Sequence, residues 1–534
     1  MERKLKLLFT VILFLAAFLR FWQLSDVPPS LSHDEVAIGY NAYSILKTGK
    51  DEYGIAFPLL FRSFDDYKLP GMVYASVPSI ALFGVNEIGV RFPSAFFGVL
   101  TVLIFYFLVK ELSRNDRLSL ICTFLFAISP WHVNFSRQSF ESNGAVFFLL
   151  LGTYFLLKFS KNPKSLFFAS LFYAVSIYFY YSVRLILPFI VLTFLVVYRK
   201  QIIKQMKILL MSALLGIILL MPLIPQIFTI GGLSRISIVS VANDKNYIAR
   251  KDEFTKIIAQ NDTIINRVIY NRRIALLITA GENYFKNLSP QHIFFTGTDS
   301  FGLLYPFEMP FFILGIYYLA RLKTGAKWIA IAWLISTPLV GALSTDQPNS
   351  LRALPNAPMF ALLSGLGIFG VWGLLKNSRV RAVFFSGMMI LILLSIKGFM
   401  SNYFDTYPKA NSLHFGDGYK QMVSYVAKNE RSFDKIYISG YYWRPYIFTL
   451  FWRQYNPADY QKNGTREHFG KYYFGRATWD KEGVFFGDPK FIFEKKALYI
   501  FAPAEYEVHK DKLNKLEIID GNFAKNVFVS ATSN

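Results

Sequence analysis

The chain of 534 residues contains a single cysteine, Cys122, and only six histidines. One cysteine excludes an intrachain disulfide framework and a cluster of thiolate metal ligands. Cys122 lies in an apolar run, where a thiol packs as a small apolar side chain. His33 and His292 have no other metal-ligating residue at a recognisable spacing. The sequence therefore predicts no metal site and no bound cofactor, and leaves open only the assistance of a divalent cation.

Acidic residues are scarce: 35 Asp and Glu face 57 Lys and Arg, and the formal net charge is +22. Such a charge is also found in nucleic-acid-binding proteins, but the chain has no Gly-rich phosphate loop and no basic helix interleaved with exposed aromatic residues. No nucleic acid partner is therefore predicted. Hydrophobic residues make up 53% and aromatic residues 18% of the chain. This exceeds the ~45–50% apolar content of soluble proteins and is typical of a protein in a lipid bilayer.

Long apolar runs separate the few charged residues. The first, Leu7–Leu19, follows a basic start and lacks a small-residue cleavage pattern, so we interpret it as a retained helix rather than a signal peptide. The apolar segment Gly71–Gly84 is short and is predicted to be an interfacial or re-entrant helix. We predict an α-helical polytopic membrane protein with about eleven transmembrane helices. Ten runs after the first approach the ~20 residues that cross a bilayer: 89–112, 117–134, 141–158, 165–182, 184–198, 207–225, 304–320, 327–344, 352–375 and 381–398.

Charge indicates which side of the membrane each loop faces. Because short basic loops stay in the cytoplasm, the N-terminus is predicted to be cytoplasmic in a multi-pass protein of the cell membrane. The opposite, outer face then holds the loops 25–88, 226–303 and 345–358 and the tail 399–534. Five short loops on the side of the N-terminus carry the basic clusters: Lys110/Arg114/Arg117, Lys158/Lys161/Lys164, Arg199/Lys200/Lys204/Lys207, Arg321/Lys323/Lys327 and Lys376/Arg379/Arg381.

The tail 399–534 loses the apolar runs. It combines a helical pattern at Tyr419–Lys428 with short β-rich runs at Lys435–Ser439 and Ala497–Phe501. We therefore predict two domains: a transmembrane domain over residues 1–398 and a small extracytoplasmic α/β domain over the tail. This second domain either supports the first or binds an acceptor.

Acids and bases gather in the first outer loop, next to apolar runs that make fixed charge costly. Asp34 and Glu35 open this segment, Lys68 lies within it, and Arg91 follows it. No ATP is present outside the cell, so a transfer reaction there requires a donor that arrives activated, such as a lipid-borne sugar phosphate. That reaction needs a carboxylate to take a proton from the acceptor hydroxyl and cations to hold the phosphate as it leaves.

The residues at the predicted outer helix ends meet this requirement. Asp34 is the predicted general base, Glu35 is the alternative base or a partner that tunes it, and Glu141 is a second acid at a helix start. Asp34 and Ser32 also suit a helix N-cap, and Lys and Arg also snorkel to the interface or pair with acids. Five cations are candidates for binding the donor phosphate: Lys68, Arg91, Arg137, Arg184 and Arg352.

Several motifs carry a family resemblance. Three spaced elements carry it: His33-Asp34-Glu35, Lys68-Leu69-Pro70 and Arg91-Phe92-Pro93-Ser94-Ala95. They resemble the opening of the family 39 glycosyltransferases, which are integral-membrane enzymes of the C-type fold and include protein O-mannosyltransferases and lipid A aminoarabinose transferases. Later stretches are similar as well: Phe135–Glu141, Tyr180–Leu185, Phe294–Asp299 and Pro348–Pro355.

The resemblance implies a polyprenyl-phosphate sugar donor and a transfer with inversion. It implies that Asp34 is the base, that Lys68 lies near the donor phosphate and that Arg91 is the arginine of the next helix. The chain departs from the family at Leu69, where many relatives have proline. The acceptor stays open between a lipid, a glycan and a protein.

Two other functions are compatible with the sequence. A polysaccharide ligase or polymerase would share the outer active site and would find room for a long glycan in the 226–303 loop. A flippase or transporter of lipid-linked sugars is the second alternative. Transporters place ionisable residues near the bilayer midplane and often show paired halves, whereas the charges here gather at outer helix ends and no repeat is evident.

Overall fold

The computed structural model describes residues 2–227, 229, 239–298, 300–475, 488 and 491–533. Asp299, which ends one of the family-like stretches, lies outside the described residues, as do 228 and 230–238 of the predicted 226–303 loop.

The described chain is mostly helical. Its α-helices are α1 (Arg3–Phe21), α2 (His33–Thr48), α3 (Pro70–Phe83), α4 (Glu87–Ser113), α5 (Asp116–Ile128), α6 (Pro130–Ser136), α7 (Glu141–Leu157), α8 (Ser165–Phe179), α9 (Ser182–Val197), α10 (Arg199–Lys204), α11 (Met206–Leu220), α12 (Ile224–Ile227), α13 (Lys245–Gln260), α14 (Ile264–Ile269), α15 (Arg272–Lys286), α16 (Met309–Arg321), α17 (Ala326–Ala342), α18 (Ser350–Ala353), α19 (Ala357–Leu374), α20 (Ser378–Ser401), α21 (Tyr407–Asn411), α22 (Tyr419–Asn429), α23 (Pro445–Trp452), α24 (Pro457–Asn463) and α25 (Pro503–His509).

Each of the eleven predicted apolar runs coincides with helix, because a helix satisfies its backbone polar groups internally and lipid offers them no partner. The short segment at Gly71–Gly84 is the 14-residue α3. The count of eleven membrane crossings remains a prediction. By length and hydropathy, five helical spans among the described residues are long and apolar enough to cross a bilayer: Glu87–Ser113, Glu141–Ser160, Met206–Gln226, Ser350–Leu374 and Ser378–Asn411.

Two of these spans leave most of their apolar surface uncovered. In an 18-residue window of each span, only 11% of Met206–Gln226 and 17% of Ser378–Asn411 is buried inside the protein, although the mean hydropathies are 2.5 and 2.0. Contiguous apolar surface of this extent is costly in water, and we infer that both helices contact lipid. The structure is accordingly that of a multi-pass membrane protein.

The predicted span 117–134 is not one straight helix. Helix α5 ends at Ile128, and α6 begins at Pro130 with a bend of 57° between their axes. Proline has no N–H to donate and its ring clashes with the preceding turn, so the helix breaks at this point. The hydroxyl of Ser129 caps the second piece by accepting from the N–H of His132 at 3.5 Å. The pair counts as a sixth span if both pieces cross together.

The described residues contain a two-stranded hairpin and a six-stranded sheet, with strands β1 (Phe61–Ser63), β2 (Asp66–Lys68), β3 (Lys435–Ile438), β4 (His468–Phe469), β5 (Tyr472–Phe474), β6 (Ala497–Phe501), β7 (Leu513–Ile519) and β8 (Phe528–Ser533). β1 and β2 form the hairpin within the loop 25–88. The C-terminal region contains the mixed sheet, ordered β4-β5-β3-β6-β8-β7. β3 is parallel to both β5 and β6, and the other pairs are antiparallel. The helix and strands predicted for the tail are present as α22, β3 and β6, and α20 continues past residue 399 to Ser401.

The C-terminal region packs directly on the first outer loop. The hydroxyl of Tyr40 in α2 donates to the carbonyl of Tyr455 at 3.1 Å. Arg466 reaches the β1–β2 turn and donates to the carboxylate of Asp65 at 3.0 Å. At Gly39 an added Cβ would lie 2.6 Å from the ring of Phe451, so only glycine permits this close approach. These contacts hold α2 and the hairpin between the helices and the sheet.

Glu52 is buried at this junction, with 1% of its surface exposed. Burial, the largest cause, raises its pKa from 4.5 to about 8, while the nearby Arg466 acts to lower it and Asp51 to raise it. Burial disfavours the charged form of a carboxylate. The folded chain therefore retains a proton that the unfolded chain loses above about pH 4.5. The contribution of Glu52 to the free energy of unfolding consequently falls as the pH rises towards 8.

Replacing Glu52 by Gln should remove this pH dependence, because an amide keeps the shape of the protonated acid but does not ionise. We expect the apparent unfolding temperature of Glu52→Gln to exceed that of the native chain by several degrees at pH 8.5 and to match it near pH 5. Thermal unfolding of the purified protein across this pH range measures the difference. The exposed Glu467→Gln is the control, and equal unfolding temperatures of the native and Glu52→Gln proteins at pH 8.5 would contradict the assignment.

Candidate active site

A cavity of about 310 Å³ lies where the first outer loop, the start of α7 and the C-terminal region meet. It contains three of the predicted site residues: Asp34, Lys68 and Glu141. The remaining lining residues are His33, Ser63, Phe64, Asp65, Asp66, Phe140, Tyr180, Leu351 and Arg444. Within the described residues, the cavity therefore joins charged side chains from four separate parts of the chain.

Asp34 enters the cavity from the first turn of α2. Ser32 caps this helix by accepting from the N–H of Glu35, whose carboxylate in turn accepts from the backbone N–H of Ser32 at 3.0 Å. This capping box fixes the helix start, so the alternative role of Asp34 as the N-cap belongs to Ser32 instead. The Asp34 side chain is 33% exposed. Asp34 therefore does not cap α2, and its side chain lines the cavity.

Lys68 reaches the same place from the end of the β1–β2 hairpin. The antiparallel register pairs Phe61 with Lys68, and Phe64 turns the hairpin with a φ of 62°. The Lys68 Nζ lies 2.7 Å from Asp34 Oδ1 and 3.9 Å from Glu141 Oε1. A lysine with 11% side-chain exposure thus sits between two carboxylates. Lys68 therefore pairs with a carboxylate in the cavity and does not extend its charge into solvent at the membrane interface.

Glu141 is the first residue of α7, and its side chain is 10% exposed. A carboxylate at a helix N-terminus is stabilised by the unsatisfied N–H groups there. Together with Asp34 it gives the cavity two negative groups around one lysine. An anionic ligand entering the cavity therefore meets Lys68 only by displacing it from its carboxylate partners.

Glu35 and Arg91, two further predicted site residues, form an ion pair outside the cavity lining, with both side chains fully buried. Arg91 Nε donates to Glu35 Oε1 at 2.9 Å, and its terminal nitrogens donate to the carbonyls of Leu24, Pro28 and Ser30. All five N–H groups of the guanidinium are directed at protein acceptors. The expectation that Arg91 contacts a donor phosphate is therefore corrected: it supports the loop that carries the site. Glu35 likewise faces Arg91 and not the cavity.

The other three predicted arginines do not line the cavity either. Arg137 is fully buried and donates to the carbonyls of Leu19, Gln23 and Val27, which anchors the chain after α1. Arg184 is half-buried and stacks on Tyr181 with 4.6 Å between its Cζ and the ring centroid.

Arg352 donates to the carbonyl of Thr345 at 2.6 Å, within the outer turn next to Leu351. Arg137 and Arg352 therefore donate to backbone carbonyls of loops, and the location of all three arginines at outer helix ends stays a prediction.

Arg444 is a cavity residue that the sequence analysis missed. Its Cζ lies 3.7 Å from the ring centroid of Phe64, and its Nη2 lies 3.8 Å from Asp65 Oδ2. Trp443 and Arg444 have φ angles of 67° and 56°, a conformation that costs non-glycine residues energy and that clusters at functional sites. Burial lowers the pKa of Arg444. The only sequence signal for it is the dense aromatic cluster that precedes Pro445.

His33 stands at the mouth of the cavity, with its Nε2 3.9 Å from Asp34 Oδ1. Burial lowers the pKa of His33, against the opposing effect of Asp34, so its imidazole is neutral at pH 7. The described residues contain no group of three or more His, Cys, Asp or Glu side chains that would hold a metal ion.

The structure shares its fold with two solved proteins, ArnT and AglB. ArnT from Cupriavidus metallidurans, solved bound to undecaprenyl phosphate, aligns with a TM-score of 0.55 and 11% identity over 99% of this chain and 97% of that chain. The archaeal oligosaccharyltransferase AglB from Archaeoglobus fulgidus, solved with an inhibitory peptide and a dolichol-phosphate, aligns with a TM-score of 0.52 and 13% identity. That alignment covers 84% of this chain and 64% of AglB.

A family model described as dolichyl-phosphate-mannose-protein mannosyltransferase matches residues 70–225. The match includes Arg91, Arg137, Glu141 and Arg184, but it begins two residues after Lys68. No curated protein matches the chain. The family model and the solved structures together confirm the resemblance to C-type glycosyltransferases that the sequence motifs indicate.

Proposed function

We propose that this protein transfers a sugar from a polyprenyl-phosphate donor to an acceptor hydroxyl at the outer face of the cell membrane. The observation that carries the proposal is the 2.7 Å contact between Asp34 and Lys68 in a cavity of about 310 Å³. The contact places a carboxylate that can take the proton of the acceptor hydroxyl next to a cation that can hold the leaving phosphate. The shared fold with an enzyme solved on undecaprenyl phosphate supports the class of donor.

In the proposed reaction, the Asp34 carboxylate takes the proton of the acceptor hydroxyl while the oxygen of that hydroxyl attacks the anomeric carbon of the donor sugar. The bond from that carbon to the phosphate oxygen breaks, and its electron pair leaves with the polyprenyl phosphate. Lys68 releases Asp34 and holds the departing phosphate. Attack from the side opposite the leaving group inverts the anomeric centre.

An apolar cavity of about 410 Å³ suits the lipid part of such a donor. It lies between α16, α17 and α19, and its walls include Phe312, Ile331 and Phe360. Apolar walls gain free energy by covering apolar chain. We propose that this cavity accommodates part of the prenyl chain.

The orientation of the protein belongs to the same proposal. Asp34, Glu141 and Arg184 all lie within the first three residues of their helices, at the end remote from the basic loops. The positive-inside rule places those loops in the cytoplasm and the cavity outside. A transporter would place such charges near mid-helix, so these positions favour the enzyme over the flippase.

Purified protein in nanodiscs, supplied with a panel of polyprenyl-phosphate sugars, tests the proposal. Mass spectrometry should detect free polyprenyl phosphate and a glycosylated acceptor when lipids, glycans and peptides are offered in turn. Release of polyprenyl phosphate from no donor in the panel would contradict the proposed class of reaction. Translocation of intact donor across the membrane, with no bond cleaved, would favour the flippase.

Replacing Arg444 by Ala should weaken the use of the acceptor. We assign Arg444 to the acceptor side, because it enters the cavity from the C-terminal region and not from the membrane helices. We expect the apparent KM for the acceptor to rise about tenfold, the value of one lost charge-assisted hydrogen bond, and the KM for the donor to change little. The exposed Arg431→Ala is the control, and a change confined to the donor KM would contradict the assignment.

A further inference from the structure

A cavity of about 880 Å³ lies at the other end of the helices. It is bounded by the end of α4, the turn after α7, the junction of α9 and α10, and the loop between α16 and α17. Helix α4 connects the two ends of the molecule, with Arg91 near the candidate site and Ser113 in this cavity. The 22 residue steps from Arg91 to Ser113 span about 33 Å at ~1.5 Å per residue. This matches the ~30 Å hydrocarbon thickness of a bilayer, so the cavity opens on the opposite face.

Four cations line this cavity: Arg114, Arg199, Lys200 and Lys323. No Asp or Glu is among its lining residues, and none of the four cations has an ion-pair partner among the described residues. The two acids nearest to Arg114 in sequence, Asp116 and Glu111, are already bound by Lys110 at 2.8 Å and by Lys161 at 2.5 Å. Like charges around one cavity repel each other. An anion placed between them would relieve that repulsion.

An apolar groove continues from this basic cavity along the helices. A second cavity of about 360 Å³ shares Val196 and Val197 with it and is otherwise lined by Leu192, Thr193 and Trp328. Leu192, Val196 and Trp328 are exposed by 61%, 67% and 52%, on helices that the bilayer surrounds. A tryptophan at this depth is typical of the membrane–water interface. The two cavities together present a cationic end and an apolar end.

We propose that the two cavities form one binding site for an anionic phospholipid of the cytoplasmic leaflet. The phosphate lies among the four cations, and an acyl chain follows the groove past Val196. Charge complementarity selects an anionic headgroup, and the continuous apolar groove selects a lipid over free phosphate. Basic pockets between transmembrane helices on the cytoplasmic side bind such headgroups. The site is separate from the proposed donor site and does not depend on its chemistry.

Native mass spectrometry of the full-length protein tests the site. The protein in detergent is titrated with dioleoyl-phosphatidylglycerol, with dioleoyl-phosphatidylcholine, with undecaprenyl phosphate and with inorganic phosphate. We expect one phosphatidylglycerol to be retained at least tenfold more tightly than phosphatidylcholine, and inorganic phosphate not to displace it. Equal retention of the two phospholipids would overturn the proposal. So would undecaprenyl phosphate displacing phosphatidylglycerol at equal concentration.

Variants locate the binding. Arg199→Ala/Lys200→Ala should reduce retention of phosphatidylglycerol to the level of phosphatidylcholine. Lys376→Ala/Arg379→Ala removes the same charge from the same face outside the cavity and should have no effect. Val196→Trp keeps every charge but places a large side chain where the two cavities meet. It should also reduce the retention of phosphatidylglycerol. If the control pair loses phosphatidylglycerol to the same extent, the lipid is attracted by the net charge of this face and not bound at a site. If Val196→Trp retains phosphatidylglycerol like the native protein, the acyl chain does not occupy the groove.

Discussion

Asp34→Asn is expected to lower the rate of sugar transfer by about 10²- to 10⁴-fold, the usual contribution of a general base. The amide has the shape of the carboxylate and still accepts a hydrogen bond from Lys68, which lies 2.7 Å away in the native protein. It does not take a proton from the acceptor. Expression and insertion should persist, because the α2 cap is formed by Ser32 and Glu35 and not by Asp34.

The rate is measured as polyprenyl phosphate released by equal amounts of folded protein, checked by monodispersity in detergent. Asp26→Asn is the matched control: it makes the same chemical change at an exposed position of the same outer loop. The control should transfer at the native rate. If Asp34→Asn also does so, Asp34 is not the base and the proposed mechanism fails.

Lys68→Ala is expected to lower kcat by about 10²- to 10³-fold, the loss seen when one group that stabilises developing negative charge is removed. It also leaves the carboxylates of Asp34 and Glu141 without the cation between them. Donor binding should weaken as well, since the remaining negative charge repels a phosphate. Lys68→Arg keeps the charge and should restore part of the activity, less than fully because the guanidinium is larger.

The measurement compares kcat and the donor KM for each variant with the same acceptor. Lys50→Ala removes an exposed lysine from the same loop and serves as the control. A Lys68→Ala protein with native kcat and native donor KM would exclude Lys68 from phosphate binding. A loss shared equally by Lys50→Ala would indicate a general effect of loop charge.

The apolar helices were predictable because their signal is local. Runs of about 20 apolar residues indicate membrane helices without any knowledge of their neighbours, and each predicted run is helical in the structure. Pro130 accounts for the bend at Ser129, because proline interrupts the hydrogen bonding of a helix. The number of crossings was less accessible, because several apolar helices, such as α8 and α9, are shorter than a bilayer span.

The sequence predicts Asp34, Lys68 and Glu141 as site residues at or near outer helix ends, and the structure places all three in one cavity. The roles of the arginines were not accessible in the same way. A sequence shows that Arg91 lies near an outer helix end, but not that carbonyls from residues 24–30 and the carboxylate of Glu35 surround it. That set of contacts depends on how the outer loop folds back over α4.

The position of Arg444 in the cavity could not be predicted from the sequence. It lies 410 residues after Asp34, and only the packing of the C-terminal region against the β1–β2 hairpin carries it to the cavity. No periodicity or motif encodes such a distant contact. The strained backbone at Trp443 and Arg444 becomes visible only in the structure.

A cryo-EM structure of the full chain in nanodiscs with undecaprenyl phosphate tests the central claim most directly. The account predicts phosphate density within about 4 Å of Lys68 Nζ, an ion-pair distance. It also predicts that the lysine is shifted from Asp34 towards the phosphate and that the Asp34 carboxylate opens to the cavity. Phosphate density elsewhere, with the Asp34–Lys68 contact still at 2.7 Å, would contradict it.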